Sequence, residues 1–132
     1  MRLLLDTHAL LWWLDDDPRL GPAARRCIRE SEAALVSAAT LWEIAIKVGV
    51  GKLEADLAAI IDELAPNAFA LLPIQPRHTL ALAALPRHHR DPFDRMLIAQ
   101  ARCEALSLVT ADRRFALYGV DVVACRGPDA EP

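Results

Sequence analysis

The segment LVSAATLWEIAIKVGVG, residues 35–51, contains a strand signal, a cap and a helix signal in direct succession. Its first two residues form a short apolar run of the kind found in buried strands. Ser37 is a residue type that caps helices, and residues 38–48 are apolar nearly all round. Two glycines follow within three residues, and glycine commonly terminates helices. The segment therefore predicts a strand that leads directly into a helix.

The same alternation continues along the chain. Strands are predicted at residues 2–5, 35–36, 70–74, 107–109 and 120–124, and helices at residues 23–32, 38–48, 54–64, 79–84 and 93–105. Parallel strands require crossover connections, so this alternation indicates a parallel sheet with helices on both faces. The predicted fold class is α/β: a single three-layer α/β/α domain with a central parallel sheet. It spans residues 1–126, and residues 127–132 are expected to form a disordered tail.

Length and composition fit one globular domain. The chain has 132 residues, of which 54% are hydrophobic and 25% charged, and this excludes global disorder. No apolar stretch reaches the about 20 residues that a membrane span needs, and Asp6 interrupts the apolar start that a signal peptide would require. Three dispersed cysteines argue against a disulfide framework or a zinc knuckle and are expected to be small buried residues: Cys27, Cys103 and Cys125. We expect a cytoplasmic protein with no membrane association.

The charge pattern is uneven. A net charge of −3 argues against nucleic-acid binding through bulk charge alone. However, 13 of the 15 basic residues are arginine, and several lie between residues 77 and 95 or at 113–114. The arginine fork suits phosphate better than the point charge of lysine. High-GC codon usage explains an arginine excess equally well, so this signal is weak.

Two acidic residues follow predicted strands. Asp6 ends the first strand, and Asp112 comes shortly after the fourth. In a parallel α/β sheet the functional crevice lies beyond the carboxyl ends of the strands, so both side chains are expected to face it. The alternative is that each aspartate only starts a turn or caps a helix.

Two further acidic residues lie on apolar faces of predicted helices. Asp94 falls inside the apolar stripe of the last helix, where an ionised carboxylate is costly unless a cation or several donors meet it. Free backbone N–H groups in the first turn are the alternative partners, although Asp91 already suits the cap. Glu43 occupies the polar window of a helix predicted to be mostly buried. A surface pair with Lys47 is the alternative, but it does not explain such a setting.

Convergence of these four acids would require a cation. Two carboxylates about 4 Å apart repel each other by roughly 4 kcal/mol at an effective dielectric constant near 20. Oxygen-only ligand sets are typical of Mg²⁺ or Mn²⁺. Such an ion activates water and orients a phosphodiester for attack. The sequence therefore points to metal-dependent phosphoryl chemistry.

Four motifs resemble the PIN-domain nucleases and, within them, the VapC-type toxins of bacterial toxin–antitoxin pairs. They are LLLDTHALLWWL, VSAATLWEIAIKVGVGKL, HHRDPFDRMLIAQA and LVTADRRF, and the resemblance extends from residue 1 to about residue 124. The acidic quartet of the family matches Asp6, Glu43, Asp94 and Asp112, which the resemblance makes catalytic residues and metal ligands. The hydroxyl near the last acid matches Thr110, a supporting ligand of the water or the metal.

The resemblance also implies activity and partners. The implied enzyme is a Mg²⁺- or Mn²⁺-dependent endoribonuclease that leaves a 5′-phosphate and a 3′-hydroxyl. The implied assembly is a homodimer, neutralised by a cognate antitoxin whose segment covers the acidic cleft. Arg87, Arg90 and Arg113 are the foremost candidates for RNA contact, followed by Arg95 and Arg114, with solvated surface charge as the alternative for all five.

The histidines and tryptophans carry weaker expectations. A zinc site at His8, His78, His88 and His89 is disfavoured, because the acids already form a set of hard ligands, and the four histidines are expected to be exposed near the RNA path. The adjacent His88 and His89 are expected to point in different directions. Of the consecutive Trp12 and Trp13, one is predicted to lie in the core and the other on a partner surface. Trp42 is predicted to lie in the core.

Two alternative functions stay open at the level of sequence. A phosphatase resembling the haloacid dehalogenases is one, although that class requires an aspartate two residues after Asp6, where His8 stands. A non-catalytic binding module with the PIN fold is the other, although such a scaffold would normally have lost a carboxylate. The RNA target, the number of metal ions, the antitoxin family and an outer-shell role for Asp91 are also open.

Overall fold

The computed structural model describes residues 1–126, and the predicted tail at 127–132 lies outside the described residues. The strands are β1 (Arg2–Leu5), β2 (Ala33–Ser37), β3 (Phe69–Leu72), β4 (Ser107–Thr110) and β5 (Val122–Ala124). The α-helices are α1 (Thr7–Leu14), α2 (Pro22–Glu30), α3 (Ala38–Gly49), α4 (Leu57–Leu64), α5 (Pro76–Ala83) and α6 (Pro92–Glu104), with a 3-10 helix at Arg113–Tyr118.

All strand pairs are parallel, and the order in the sheet is β3-β2-β1-β4-β5. Leu5 at the end of β1 lies opposite Val36 on one side and Val109 on the other. The chain builds outward from β1 in one direction through β3, then returns to the other side of β1 for β4 and β5. The strand order therefore reverses between β1 and β4, and in such sheets the crevice at this reversal is where ligands bind.

Helices cover both faces of the sheet, which confirms the predicted three-layer α/β/α fold. Successive leucines of β1 face opposite sides: Leu3 and Leu5 pack with residues of α1, α2, α3 and α4, whereas Leu4 packs with residues of α5 and α6. All three leucines are fully buried. The uninterrupted apolar run of β1 is what a central parallel strand with two covered faces requires.

Some element boundaries differ from the predicted ones by two or three residues. Helix α4 begins at Leu57 rather than at residue 54, because Asp56 caps it and accepts a hydrogen bond from the Ala59 N–H at 3.1 Å. Strand β3 ends at Leu72, before a proline that lacks a backbone donor. Helix α5 begins three residues earlier than predicted, at a proline suited to a first turn. The 3-10 helix was not predicted.

The prediction that Trp42 lies in the core is wrong. Its side chain is 59% exposed, and its ring meets Phe93 edge-on with the ring centroids 5.0 Å apart. Helix α3 turns Thr40, Glu43 and Ile44 inward instead. Trp42, Ile46 and Val50, spaced four residues apart, form an exposed apolar row, so α3 is not mostly buried as predicted.

The cysteine and tryptophan expectations hold only in part. Cys125 is buried, but Cys27 is half-buried and Cys103 is exposed. Trp12 and Trp13 are both half-buried, so neither is the core residue that was predicted. The Trp13 indole N–H donates to Asn67 at 2.9 Å, which keeps its ring at the edge of the apolar layer. Among residues 1–126, no helix has the length and apolarity to cross a membrane.

Candidate active site

The carboxyl ends of β1 and β4 place the first two acids side by side. Asp6 directly follows β1, and Asp112 comes two residues after Thr110, the last residue of β4. The backbone N–H of Asp6 donates to the Val109 carbonyl at 3.0 Å, which continues the pairing of the two strands beyond Leu5. Both acids therefore lie beyond the carboxyl ends of their strands, as predicted, and the structure places this point where the strand order reverses.

Helices α3 and α6 bring the other two acids to the same place. Asp6, Glu43, Asp94 and Asp112 all line one cavity of about 300 Å³. The remaining polar residues around it are Thr7, His8, Lys47 and Asp91. The structure thus brings together the four acids that the sequence singled out on separate segments.

Asp6 is held by its own helix and by the neighbouring strand. Its Oδ1 accepts a hydrogen bond from the Ala9 N–H at 2.8 Å and so caps α1, and its side chain also hydrogen-bonds Thr110. Burial raises the pKa of Asp6 above its ordinary value, although these two hydrogen bonds act in the opposite direction. Both hypotheses for Asp6 therefore apply, because its side chain caps α1 and also lines the cavity.

Glu43 is held from both sides. The Thr7 hydroxyl donates to its Oε1 at 2.6 Å, and the Lys47 ammonium donates to its Oε2 at 2.7 Å. Glu43 is 6% exposed, so the pair with Lys47 belongs to a buried site and not to a helix surface. Thr7 was not predicted to belong to the site, although it directly follows the acid at the end of β1.

Asp94 has the fewest hydrogen-bond partners of the four acids. Its carboxylate accepts no hydrogen bond from any residue within 1–126. Burial, followed by the negative charges of Asp91, Asp6, Glu43 and Asp112, raises the pKa of Asp94 to about 7. Backbone N–H groups of the first turn, the alternative partners for the Asp94 carboxylate, bond Asp91 instead. Asp91 caps α6 by accepting from the N–H groups of Phe93 and Asp94 at 2.8 and 3.1 Å.

Asp112 is the most heavily bonded acid of the cavity. It caps the 3-10 helix by accepting from the Arg114 N–H at 2.9 Å, and it also accepts from the Arg114 side chain at 3.1 and 2.8 Å. The His89 ring approaches its Oδ2 at 3.1 Å. Because of Arg114 first of all, the pKa of Asp112 lies well below its ordinary value.

The expectation that the histidines are exposed is wrong for His78 and His89, which are both buried. The His89 ring lies 5.0 Å from that of Phe115 and 5.5 Å from that of Tyr118. His88 is exposed, so the two adjacent rings do diverge as expected. One ligand atom each of His89, Asp94 and Asp112 lies within 4.8 Å of the others.

One known protein family matches most of this sequence. Residues 3–120 match the model of the PIN domain, which is nearly the whole chain. The chain belongs to the PIN-domain family. Ribonuclease VapC22 of Mycobacterium tuberculosis is 30% identical to it over 116 residues, which cover 86% of this PIN domain and 88% of that relative.

Solved structures share the fold at low sequence identity. A DNA-bound VapBC complex of Salmonella typhimurium superimposes with a TM-score of 0.72 at 18% identity, covering 96% of this chain and 99% of that one. VapC20 of Mycobacterium tuberculosis, described as a toxin that cleaves the sarcin–ricin loop, gives a TM-score of 0.66 at 18% identity, covering 92% and 98%. At this identity the likeness establishes the fold of this PIN domain and no more.

The donor set of this PIN domain fits a divalent metal ion. Among residues 1–126, five carboxylates line the cavity and two cations, Lys47 and Arg114, are seen bonded to them, which leaves an excess of negative charge. The raised pKa of Asp94 reflects the same excess, since its four neighbouring acids all act in that direction. An ion that prefers oxygen ligands would relieve this repulsion, and PIN nucleases are metal-dependent.

The candidate RNA-contact residues do not line the acidic cavity of this PIN domain. Arg87, Arg90 and Arg95 line a second cavity of about 530 Å³, whose lining also contains His89, the residue that approaches Asp112. The Arg95 guanidinium is occupied, because it donates to the carbonyls of Leu82, Leu85 and Pro86. Arg87 and Arg90 are exposed, as is Arg113 at the start of the 3-10 helix.

Proposed function

We propose that this chain is a Mg²⁺- or Mn²⁺-dependent endoribonuclease and the toxin of a toxin–antitoxin pair. The observation that carries the proposal is the convergence of Asp6, Glu43, Asp94 and Asp112 on one cavity at the reversal of strand order. The relation to Ribonuclease VapC22 supports ribonuclease activity. The likeness to VapC20, a toxin described as cleaving the sarcin–ricin loop, supports an RNA substrate.

The four acids are proposed as the metal ligands and catalytic residues. Their carboxylate oxygens are hard donors, which favours Mg²⁺ or Mn²⁺ over softer metals. When bound, such an ion supplies an activated water and neutralises charge on the phosphodiester. Thr110 supports this arrangement, because its hydroxyl bonds Asp6 and also accepts from the Asp112 N–H at 3.0 Å.

The surrounding residues orient the acids before any ligand arrives. Thr7 and Lys47 fix both oxygens of Glu43, and the first turn of α1 fixes one oxygen of Asp6. Asp94 has no such partner within residues 1–126 and is therefore the acid whose charge depends most on a bound cation. Preorganised ligands of this kind lower the cost of assembling a reactive geometry.

The exposed arginines provide a path for the RNA backbone. Arg87 and Arg90 lie beside the cavity that adjoins the acids, and Arg113 lies after Asp112. Guanidinium groups bind phosphate oxygens in a forked geometry. We propose that these three residues hold phosphates on either side of the bond that is cleaved.

A cognate antitoxin and a second copy of the chain are the proposed protein partners. Several fold neighbours were solved as complexes, among them VapBC2 of Rickettsia felis and VapBC of Salmonella typhimurium. The exposed apolar row of Trp42, Ile46 and Val50 supports a protein-facing surface, because apolar patches often mark interfaces. The homodimer and the cytoplasmic location remain predictions, and sedimentation velocity of the purified chain tests the first.

Cleavage of total cellular RNA tests the proposed activity. The purified chain is incubated with RNA in Mg²⁺, in Mn²⁺ and in chelator, and the products are analysed for 5′-phosphate ends. We expect discrete cleavage with either metal and none in chelator.

The matched control is Asp94→Asn, which keeps the shape of the side chain and removes its charge. We expect it to lower cleavage by at least about a hundredfold, a loss typical of removing a catalytic electrostatic group. Cleavage that survives both chelator and this substitution would contradict the proposal.

A further inference from the structure

The Asp112 carboxylate is saturated with hydrogen bonds. Oδ1 accepts from the backbone N–H and the Nε–H of Arg114, and Oδ2 accepts from the Arg114 Nη2 and meets the His89 Nε2. Two carboxylate oxygens offer about four lone-pair positions. All four are therefore in use, so Asp112 becomes a metal ligand only if one of these partners withdraws.

The His89 side of Asp112 is fixed. The His89 side chain is 1% exposed, its Nδ1 lies 3.2 Å from the Tyr118 hydroxyl, and that hydroxyl accepts from the His88 N–H at 3.0 Å. An ionised carboxylate only accepts, so the His89 Nε2 carries the proton that faces Asp112, and Nδ1 shares a hydrogen bond with the Tyr118 hydroxyl. Both ring nitrogens of His89 therefore have a partner, which holds the ring in place.

The Arg114 side of Asp112 is free to withdraw. The Arg114 side chain is 61% exposed, and it reaches back two residues to the carboxylate. Solvent-exposed ion pairs of this kind contribute little to stability, because water solvates the separated charges well. Among the partners of Asp112 within residues 1–126, the Arg114 guanidinium is thus the one that solvent replaces at low cost.

We propose that Arg114 competes with the divalent cation for Asp112, and that His89, held by Tyr118, positions the carboxylate when Arg114 withdraws. This inference rests on the proposed metal site. His89 is a positioning residue in this arrangement and not a ligand, since the nitrogen that faces Asp112 carries a proton. Groups that orient a ligating side chain commonly change metal affinity about 10- to 100-fold when they are removed.

Mn²⁺ binding to the metal-free full chain, followed by calorimetry or by the loss of the free-ion signal in electron paramagnetic resonance, tests the competition. Arg114→Gln is expected to tighten binding about fivefold, because the cation no longer has to displace an exposed ion pair. Arg102→Gln removes the same charge from an exposed position in the last turn of α6 without removing a bond to Asp112, and is expected to change affinity less than twofold. Equal effects of the two variants, or weaker binding by Arg114→Gln, would overturn the proposal.

A second pair of variants tests the positioning role. His89→Phe keeps a ring but loses the donor, and is expected to weaken Mn²⁺ binding at least about tenfold. His89→Gln restores an N–H donor, and is expected to recover most of that affinity. Thermal melting of both variants separates this effect from unfolding. If Gln and Phe weaken binding equally while both proteins stay folded, His89 does not position Asp112.

Failure of the proposed metal site and failure of the competition give different results. If the wild-type chain binds no Mn²⁺, or if Asp94→Asn does not reduce the binding, both the metal site and the competition are wrong. If wild-type binding is present and depends on Asp94, but Arg114→Gln leaves it unchanged, the metal site stands and the competition alone is wrong.

Discussion

At the scale of single residues, hydrogen bonds from outside the acidic quartet hold two of its members: Thr7 bonds Glu43, and His89 bonds Asp112. Asp94 and Glu43 were visible because a charged residue on an apolar helix face contradicts the pattern around it. Thr7 and His89 were not visible, because a threonine after a strand and a histidine in a basic loop have ordinary roles in most proteins. Their contribution is a hydrogen bond to one particular oxygen of Glu43 or Asp112, which only three-dimensional geometry shows.

The raised pKa of Asp94 predicts a pH-dependent stability of the metal-free chain. Its pKa is about 7 in the folded chain against an ordinary value of 3.8, so the folded state binds more protons between these pH values. The free energy of unfolding must therefore fall as pH rises through this window. Because Asp94 is partly exposed, solvent screening reduces the effect, and we expect a contribution of about 1–2 kcal/mol between pH 5 and pH 8.

Urea unfolding of metal-free protein at pH 5 and pH 8 measures this contribution. Asp94→Asn cannot ionise, so its loss of stability between the two pH values should be smaller than that of the wild type by that amount. Asp62→Asn, on the exposed face of α4, is the matched control and should behave as the wild type does. Identical pH dependence of stability in the wild type and in Asp94→Asn would show that burial and the neighbouring acids do not raise the pKa of Asp94.

At the scale of elements, α6 connects the core to the cavity. Its first turn carries the cap Asp91 and the cavity acid Asp94, and its middle carries Gln100, which is fully buried. Ser37 at the start of α3 donates to Gln100 at 2.6 Å, and Gln100 approaches His78 of α5 at 3.4 Å. These buried hydrogen bonds connect α3, α5 and α6. A single sequence did not predict it, because its members lie far apart along the chain.

Asp91 allows capping and charge to be tested separately. Asparagine caps helices about as well as aspartate, whereas alanine does not. We expect Asp91→Ala to lose about 1 kcal/mol of unfolding free energy and Asp91→Asn to lose less than about 0.5 kcal/mol, both measured in urea. If Asp91 acts only as a cap, Asp91→Asn also retains wild-type cleavage. A strong loss of cleavage in Asp91→Asn with unchanged stability would place Asp91 in the outer shell of the metal site.

At the scale of the whole molecule, the fold was predictable because every level of the pattern agreed. The apolar run of β1, the capped start of α3 and the alternation of strands with helices all specify one parallel sheet. The short 3-10 helix was not predictable, because its start depends on Asp112 accepting the Arg114 N–H rather than on any periodic pattern. The exposure of Trp42 was not predictable either, because an apolar helix that packs on one face reads the same in sequence as one packed on both.

The two apolar clusters on either side of the sheet contain none of the four acids, so we expect the fold to form without a metal ion. Removing the metal should therefore abolish cleavage while the chain stays folded. Loss of a ligand present at 100 times its dissociation constant removes about 2.7 kcal/mol of stability, and we expect the melting temperature at pH 7 to fall by no more than about 10 °C. Differential scanning calorimetry with and without chelator measures this. Unfolding on chelation would make the ion structural.

The position of a bound ion tests the central claim most directly, namely that four separate segments build one metal site. Crystals grown with Mn²⁺ and measured at a wavelength where manganese scatters anomalously would show where the ion lies. We predict an anomalous peak within about 2.5 Å of carboxylate oxygens from the acidic quartet, Asp94 among them. A peak elsewhere, or an empty cavity at a Mn²⁺ concentration that supports cleavage, would contradict the account.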